Sequence, residues 1–136
     1  MADDRNSSVA SLIANVASTA SRNSPPQDGS RWKGVHVVVH VSTASSTGIN
    51  LTPKVQGWDP ASGGSSGAES TAARWYDVLS GTAITSTGTT VLKVYPGIAA
   101  SAGAAASDVL PPTWRVRIVH ASTKDAHYTV AAHRID

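Results

Sequence analysis

The chain of 136 residues contains no cysteine and no phenylalanine, and a single glutamate, Glu69. Without cysteine there are no disulfides, no thiol nucleophile and no cysteine-ligated zinc. Without phenylalanine, the aromatic mass of any core has to come from four tryptophans and three tyrosines. Strong charge is missing too. The net charge is +2 despite a pI of about 9.2, and the basic residues are spread rather than clustered, so nucleic acid is not an expected partner. No run approaches the roughly 18 apolar residues of a membrane-spanning helix. The N-terminus opens with Asp3 and Asp4 and has only a diluted apolar segment, a poor match to a secretory signal. These absences point to a soluble protein made in a cytoplasm, with neither membrane nor nucleic acid among its partners.

What is present divides at about residue 30. Val9, Leu12, Ile13, Val16, Ala17 and Ala20 recur at the i, i+3, i+4, i+7 spacing of one helical face. The spacing predicts a helix over about 8–20, capped by Asn6, Ser7 or Ser8 after a frayed tail, Met1 to Asn6. A helix of about a dozen residues is marginal alone in water, so the apolar stripe is expected to lie against either its own domain or a partner. Ser21 to Ser30 (SRNSPPQDGS) reads as a linker stiffened by Pro25-Pro26 and turned at Asp28-Gly29. Residues 1–30 are therefore expected to form an arm, and residues 31–136 a domain.

Beyond Arg31 the hydrophobic period becomes two. Val35, Val37, Val39 and Val41 share one face of a strand from Trp32 to Ser42, with Trp32, His36, Val38 and His40 on the other. Apolar residues on both faces predict a central or covered strand. Further strands are expected at Ile49–Trp58 (an edge or a bulge, because of Pro53), Arg74–Leu79, Ala83–Thr85, Thr89–Tyr95, Trp114–Ala121 and Ala126–Ile135. Asp59 to about Ala72 is too rich in Gly and Ser to pack and reads as a mobile excursion. Pro96 to Leu110 forms a second long loop, and Ser122 to Asp125 a hairpin turn. Many short strands with frequent turns indicate an antiparallel β-sandwich or jelly-roll-like domain.

No catalytic constellation assembles from these segments. Acids are scattered, no serine lies in a nucleophile elbow, and Gly63-Gly64 lacks the lysine and helix of a phosphate loop. An enzyme is not expected, nor a cofactor. Among the histidines, His36 and His40 stand ~13 Å apart along one strand, too far to share a zinc ion whose ligands sit at ~2 Å. His120 and His127 would face each other across the hairpin at ~5 Å, but two ligands are too few, with His133 or another subunit the sole source of a third. No metal site is expected. Trp58, Trp75 and Tyr76 flank the Gly/Ser loop and, if exposed together, would stack on sugar rings. Core filling is the simpler use of Trp75 and Trp114, and Trp32 stands where arm meets domain.

Three phrases carry a resemblance: Val55-Gln56-Gly57-Trp58-Asp59-Pro60-Ala61-Ser62-Gly63; Trp75-Tyr76-Asp77-Val78-Leu79 with Thr87-Gly88-Thr89-Thr90-Val91-Leu92-Lys93-Val94-Tyr95-Pro96-Gly97; and Leu110-Pro111-Pro112-Thr113-Trp114-Arg115-Val116. Over roughly Trp32 to Ala132 the chain resembles small structural proteins encoded among the structural genes of tailed bacteriophages. The shared phrases are strand and turn patterns, and the 1–30 arm lies outside them. The resemblance implies a virion component: a capsid decoration (cement) protein bound to the major capsid protein or other virion subunits, or a tail or head–tail joining part. By the same analogy a homo-oligomer is expected, a trimer before a dimer. A carbohydrate-binding module using Trp58, Trp75 and Tyr76 is the alternative from another class.

Overall fold

The computed structural model describes residues 7–44, 48–62 and 74–136. The expected frayed tail and most of the Gly/Ser excursion lie outside the described residues. The described chain is all-β. Its strands are β1 (Ser7–Ser18), β2 (Arg22–Asn23), β3 (Gln27–Asp28), β4 (Gly34–Ala44), β5 (Leu51–Trp58), β6 (Trp75–Ser80), β7 (Gly88–Val94), β8 (Ala105–Ala106), β9 (Thr113–His120) and β10 (Ala126–Ile135), with one 3-10 turn at Pro60–Ser62. Sheet A has the order β1-β10-β4-β7-β8, and sheet B the order β2-β9-β5-β6, with β3 also paired to β9. Every pairing is antiparallel except the short β7–β8 contact.

Alternation along the strands builds the core. Val35, Val37, Val39 and Val41 of β4 are all buried, as are Tyr128, Val130 and Ala132 of β10 and Leu92 and Val94 of β7. From sheet B come Trp114, Val116 and Ile118 of β9 with Leu51 and Val55 of β5, and all of these merge into one cluster. Two sheets meeting through such inner faces have the layering of a β-sandwich. Trp114 and Tyr128 are fully buried and supply the large rings that phenylalanine would otherwise bring. As its two-sided apolar pattern predicts, β4 is central, held between β10 and β7.

The N-terminal segment departs most from its periodicity. It forms no helix: Ser7–Ser18 is a strand, paired along its length with β10 from Ser7↔Ile135 to Ser18↔Ala126. The register slips between Ser11 and Ile13 and again between Ile13 and Val16. Each slip adds a residue to β1 without adding one to β10, as a β-bulge does. The first puts neighbouring Leu12 and Ile13 both into the core, 6% and 3% exposed. Bulged strands break the period of two: Leu12 and Ile13 become neighbouring inward positions, as on a helical face, whereas Val9 of the same apolar stripe is 67% exposed. The expected linker is likewise part of the fold, since β2 and β3 complete the β9 edge of sheet B. Between them Pro25-Pro26 offers no donor. Ser24 compensates: its amide donates to the Val116 carbonyl at 2.8 Å and its hydroxyl accepts from the Val116 amide at 2.9 Å.

Three further expectations are corrected. β5 is internal, between β9 and β6. Pro53 is accommodated because its missing donor faces the point where β6 ends; there its carbonyl accepts from the Gly81 amide at 2.7 Å. The register slip of the β5–β6 ladder falls later, between Val55 and Gln56, and its extra residue, Val78, belongs to β6. The Ser122–Asp125 turn does not close a hairpin. β9 belongs to sheet B and β10 to sheet A, so the segment arches between sheets. Ala83–Thr85 forms only an isolated bridge, Ile84 to Leu51.

Candidate interaction surfaces

Of the singled-out aromatic residues, Trp58 and Trp75 meet on the outer face of sheet B. Outward positions on β5 are Lys54, Gln56 and Trp58; opposite them on β6 are Trp75 and Asp77, and on β9 Arg115 and Arg117. Trp58 and Trp75 are directly paired, with ring centroids 5.3 Å apart in an edge-to-face arrangement. The Arg115 guanidinium lies 4.4 Å from the Trp75 ring centroid, a cation–π contact. Its Nε donates to Gln56 Oε1 at 2.9 Å; Gln56 Nε2 donates to Asp77 Oδ1 at 2.9 Å; Lys54 Nζ donates to Asp77 Oδ2 at 3.0 Å. Arg115 is 1% exposed although it points away from the core. A charge so deeply placed needs such partners.

This relay is built for position rather than proton transfer. Burial raises the Asp77 pKa, but the hydrogen bonds from Gln56 and Lys54 and the Lys54 charge outweigh it and hold the carboxyl below its usual range. With both oxygens engaged and a guanidinium that does not deprotonate, no acid–base pair is free to act. Trp58 and Trp75 are 7% and 5% exposed, so neither offers an open stacking platform. Tyr76 is 47% exposed, but it points to the opposite side of its strand. Its ring lies over Gly57, where an added Cβ would meet Tyr76 Cζ at 2.6 Å and Pro111 Cγ at 2.8 Å. The three aromatics that flank the Gly/Ser loop are thus not a joint surface.

Among the arm residues, Leu12 and Ile13 are core, Val9 is 67% exposed and Ala20 is exposed beyond the end of β1. Val16 and Ala17 pair in register with Tyr128 and His127. Trp32 is partly buried against the core, with the Arg134 guanidinium 5.6 Å from its ring centroid. His120 and His127 do not face each other across a ladder. His120 Nε2 instead meets the Tyr128 hydroxyl at 2.9 Å, beside Arg22, whose guanidinium lies 5.5 Å from the Tyr128 ring centroid and donates to the Ala14 carbonyl at 3.2 Å. Burial first, then the Arg22 charge, lowers the His120 pKa, with Asp125 acting in the opposite sense. Burial also raises the Tyr128 hydroxyl above its usual value. Among the described residues no group of three or more His, Asp or Glu side chains converges as a metal site. The Arg115–Gln56–Asp77 relay and the His120–Tyr128 contact went unforeseen. The alternation of Lys54, Gln56 and Trp58 was the available signal for the first, but burial outside the core has no sequence signature.

The geometry defines a two-sheet antiparallel fold whose side chains are largely committed to one another. No protein-family model matches the sequence, and no curated protein does. Among solved structures the chain is similar to the crystal structure of the SPBc2 prophage-derived protein YomS, with a TM-score of 0.51 and 10% identity, covering 100% of this chain and 98% of that one.

Proposed function

We propose that this protein is a bacteriophage structural component that attaches to the virion, most specifically a capsid decoration protein binding the major capsid protein. The observation that carries this reading is the end-to-end fold likeness to a prophage-derived protein. It joins the resemblance of several strand-and-turn phrases to those of small phage structural proteins. A small body with its aromatic and charged side chains locked against one another suits binding to a repetitive lattice, where many weak contacts add. In this reading the protein has no catalytic role, needs no cofactor, and acts as a homo-oligomer or as repeated single copies on the particle.

The arm-anchoring version of this idea changes with the fold. Leu12 and Ile13 sit in the protein's own core and are not available to a shell, so attachment falls to an outer surface. Cryo-electron microscopy of the purified particle tests the proposal. The expected result is density for the two-sheet body at regular positions over the head. Density confined to the tail or neck would replace decoration by a tail or head–tail joining role, and absence from particles, checked by mass spectrometry, would overturn the virion reading.

A further inference from the structure

The two sheets differ sharply in the charge they carry. The five strands of sheet A contain no aspartate or glutamate, yet hold four of the five histidines, His36, His40, His127 and His133, together with Lys93 and Arg134. Both acids that lie within strands, Asp28 and Asp77, are in sheet B. Alternation turns all four histidines and Lys93 outward, because their strand neighbours Val35, Val37, Val39, Val41, Ala126, Tyr128, Ala132, Leu92 and Val94 are buried.

Register then assembles them. His133 of β10 pairs with His36 of β4, which pairs with Lys93 of β7, forming one rung across three strands. The next outward rung is Ala131, Val38 and Val91, and the one after is Thr129, His40 and Thr89, with His40 Nδ1 3.0 Å from Thr89 Oγ1. Val9 lies beside His133 on β1 and is 67% exposed; Val91 is 38% exposed. At its β7 side the rung opens into a groove of about 660 Å³ lined by His36, Val91, Lys93, Ile98, Ser101 and Ala105. The face is therefore an apolar strip set between two imidazole-bearing rungs.

The charged groups bearing on His36 are Lys93 and His133, and both act, after burial itself, to keep its ring neutral. Among the described residues β1 presents Val9 and β8 presents alanine, so neither flanking strand brings an acid. The nearest acid along the chain to His133 is Asp136, just past the end of β10, whose backbone carbonyl accepts from the Tyr95 hydroxyl at 3.2 Å; Asp108, past β8, accepts a hydrogen bond from the Val109 amide, and neither lines the groove. At the far end of the sheet, Asp125 precedes β10 and bears on His120.

We infer that the outer face of sheet A is a docking surface for the acidic face of a partner protein, with partner carboxylates meeting the His133–His36–Lys93 rung and partner apolar side chains covering Val38 and Val91. Charge complementarity selects this occupant. A second copy laid face to face has no aspartate or glutamate on the strands of this face to pair with either rung. Nucleic acid is matched by permanent cations with aromatic platforms, and this face has one lysine and no aromatic ring. Imidazoles gain charge between pH 8 and 5, so docking strengthens on acidification and takes up protons as it proceeds. The virion reading supplies the partner's identity, on which this inference rests; the test in free solution stands apart from it.

The test uses the full chain with immobilised poly-L-aspartate at pH 7.5 and 6.0, with a dT20 oligonucleotide and phosphatidylserine vesicles as comparison anions. Expected is binding to poly-L-aspartate about tenfold tighter at pH 6.0. That gain should be lost in His36→Gln/His133→Gln and in Lys93→Glu, and kept in Arg31→Gln/Lys124→Gln, which removes two cations from turns elsewhere. Circular dichroism confirms that each variant is folded at both pH values, and His133→Gln alone, at an exposed site, serves if the double variant is not. Equal binding at the two pH values, an effect equally lost in the turn variant, or dT20 or vesicles binding as well as poly-L-aspartate would each overturn the proposal.

Discussion

At the scale of single residues, chemistry that looks reactive in the sequence is tied up in the fold. His120 is the clearest case, wedged against the Tyr128 hydroxyl and close to Arg22. Its folded-state pKa is below the ordinary 6.5, and that of His36 is lowered in the same direction. The unfolded chain therefore takes up these protons first as pH falls. The stability tied to these rings is complete above about pH 6.5 and declines below it, through the folded-state values. Thermal melts should show a falling Tm between pH 7.5 and 5.5, with a smaller fall in His120→Gln, whose amide can still reach Tyr128. A flat profile, or an unchanged slope in the variant, would show that His120 does not carry the effect. The Trp and Tyr residues had been legible only in bulk: without phenylalanine they had to fill the core, and Trp114 and Tyr128 do. That Trp58 and Trp75 are buried on an outward face, beside Arg115, depends on a relay crossing three strands, and no local pattern records it.

At the scale of elements, strands with regular alternation were readable and the bulged one was not. β4 and β10 fall close to where a period of two puts them. β1 does not, because its two register slips break the alternation and set Leu12 and Ile13 side by side in the core. Leu12 and Ile13 then share one side, and both depend on tertiary packing against β10. Leu12→Ala or Ile13→Ala should each cost about 2–5 kcal/mol in urea denaturation, the range for large-to-small changes in a core. A surface helix would lose far less, so a cost under about 1 kcal/mol would contradict the strand. The β9–β10 connection misled for a related reason. A short turn between two strands looks the same in sequence whether it closes a hairpin or arches between layers, and only the preference of β9 for β5 and of β10 for β4 decides.

For the whole molecule, the residues expected to form an arm supply strands to both sheets. β1 flanks β10, β2 and β3 flank β9, and Ser24 completes the Val116 ladder position. Removing residues 1–30 would strip Leu12 and Ile13 from the core and leave β10 and β9 as bare edges open to pairing with other chains. The truncated chain should be unfolded or aggregated by circular dichroism and sedimentation, whereas the full chain should unfold in a single transition. A soluble, cooperatively melting truncation would restore the arm as a separate appendage. Fold class was legible at this scale because turn frequency and alternation are local properties. Strand order was not, because it is set by which distant strands meet.

The β1–β10 pairing also fixes how the molecule answers to pulling. The ladder begins at Ser7↔Ile135, so the two ends of the described chain leave side by side from the same end of one antiparallel pair. A load applied between them runs across the strands and opens the inter-strand hydrogen bonds in sequence, like a zipper, rather than straining them all in parallel. Tethered by its ends, the protein is a weak link that peels from β1 inward; tethered through a sheet face, it keeps that seam out of the line of force.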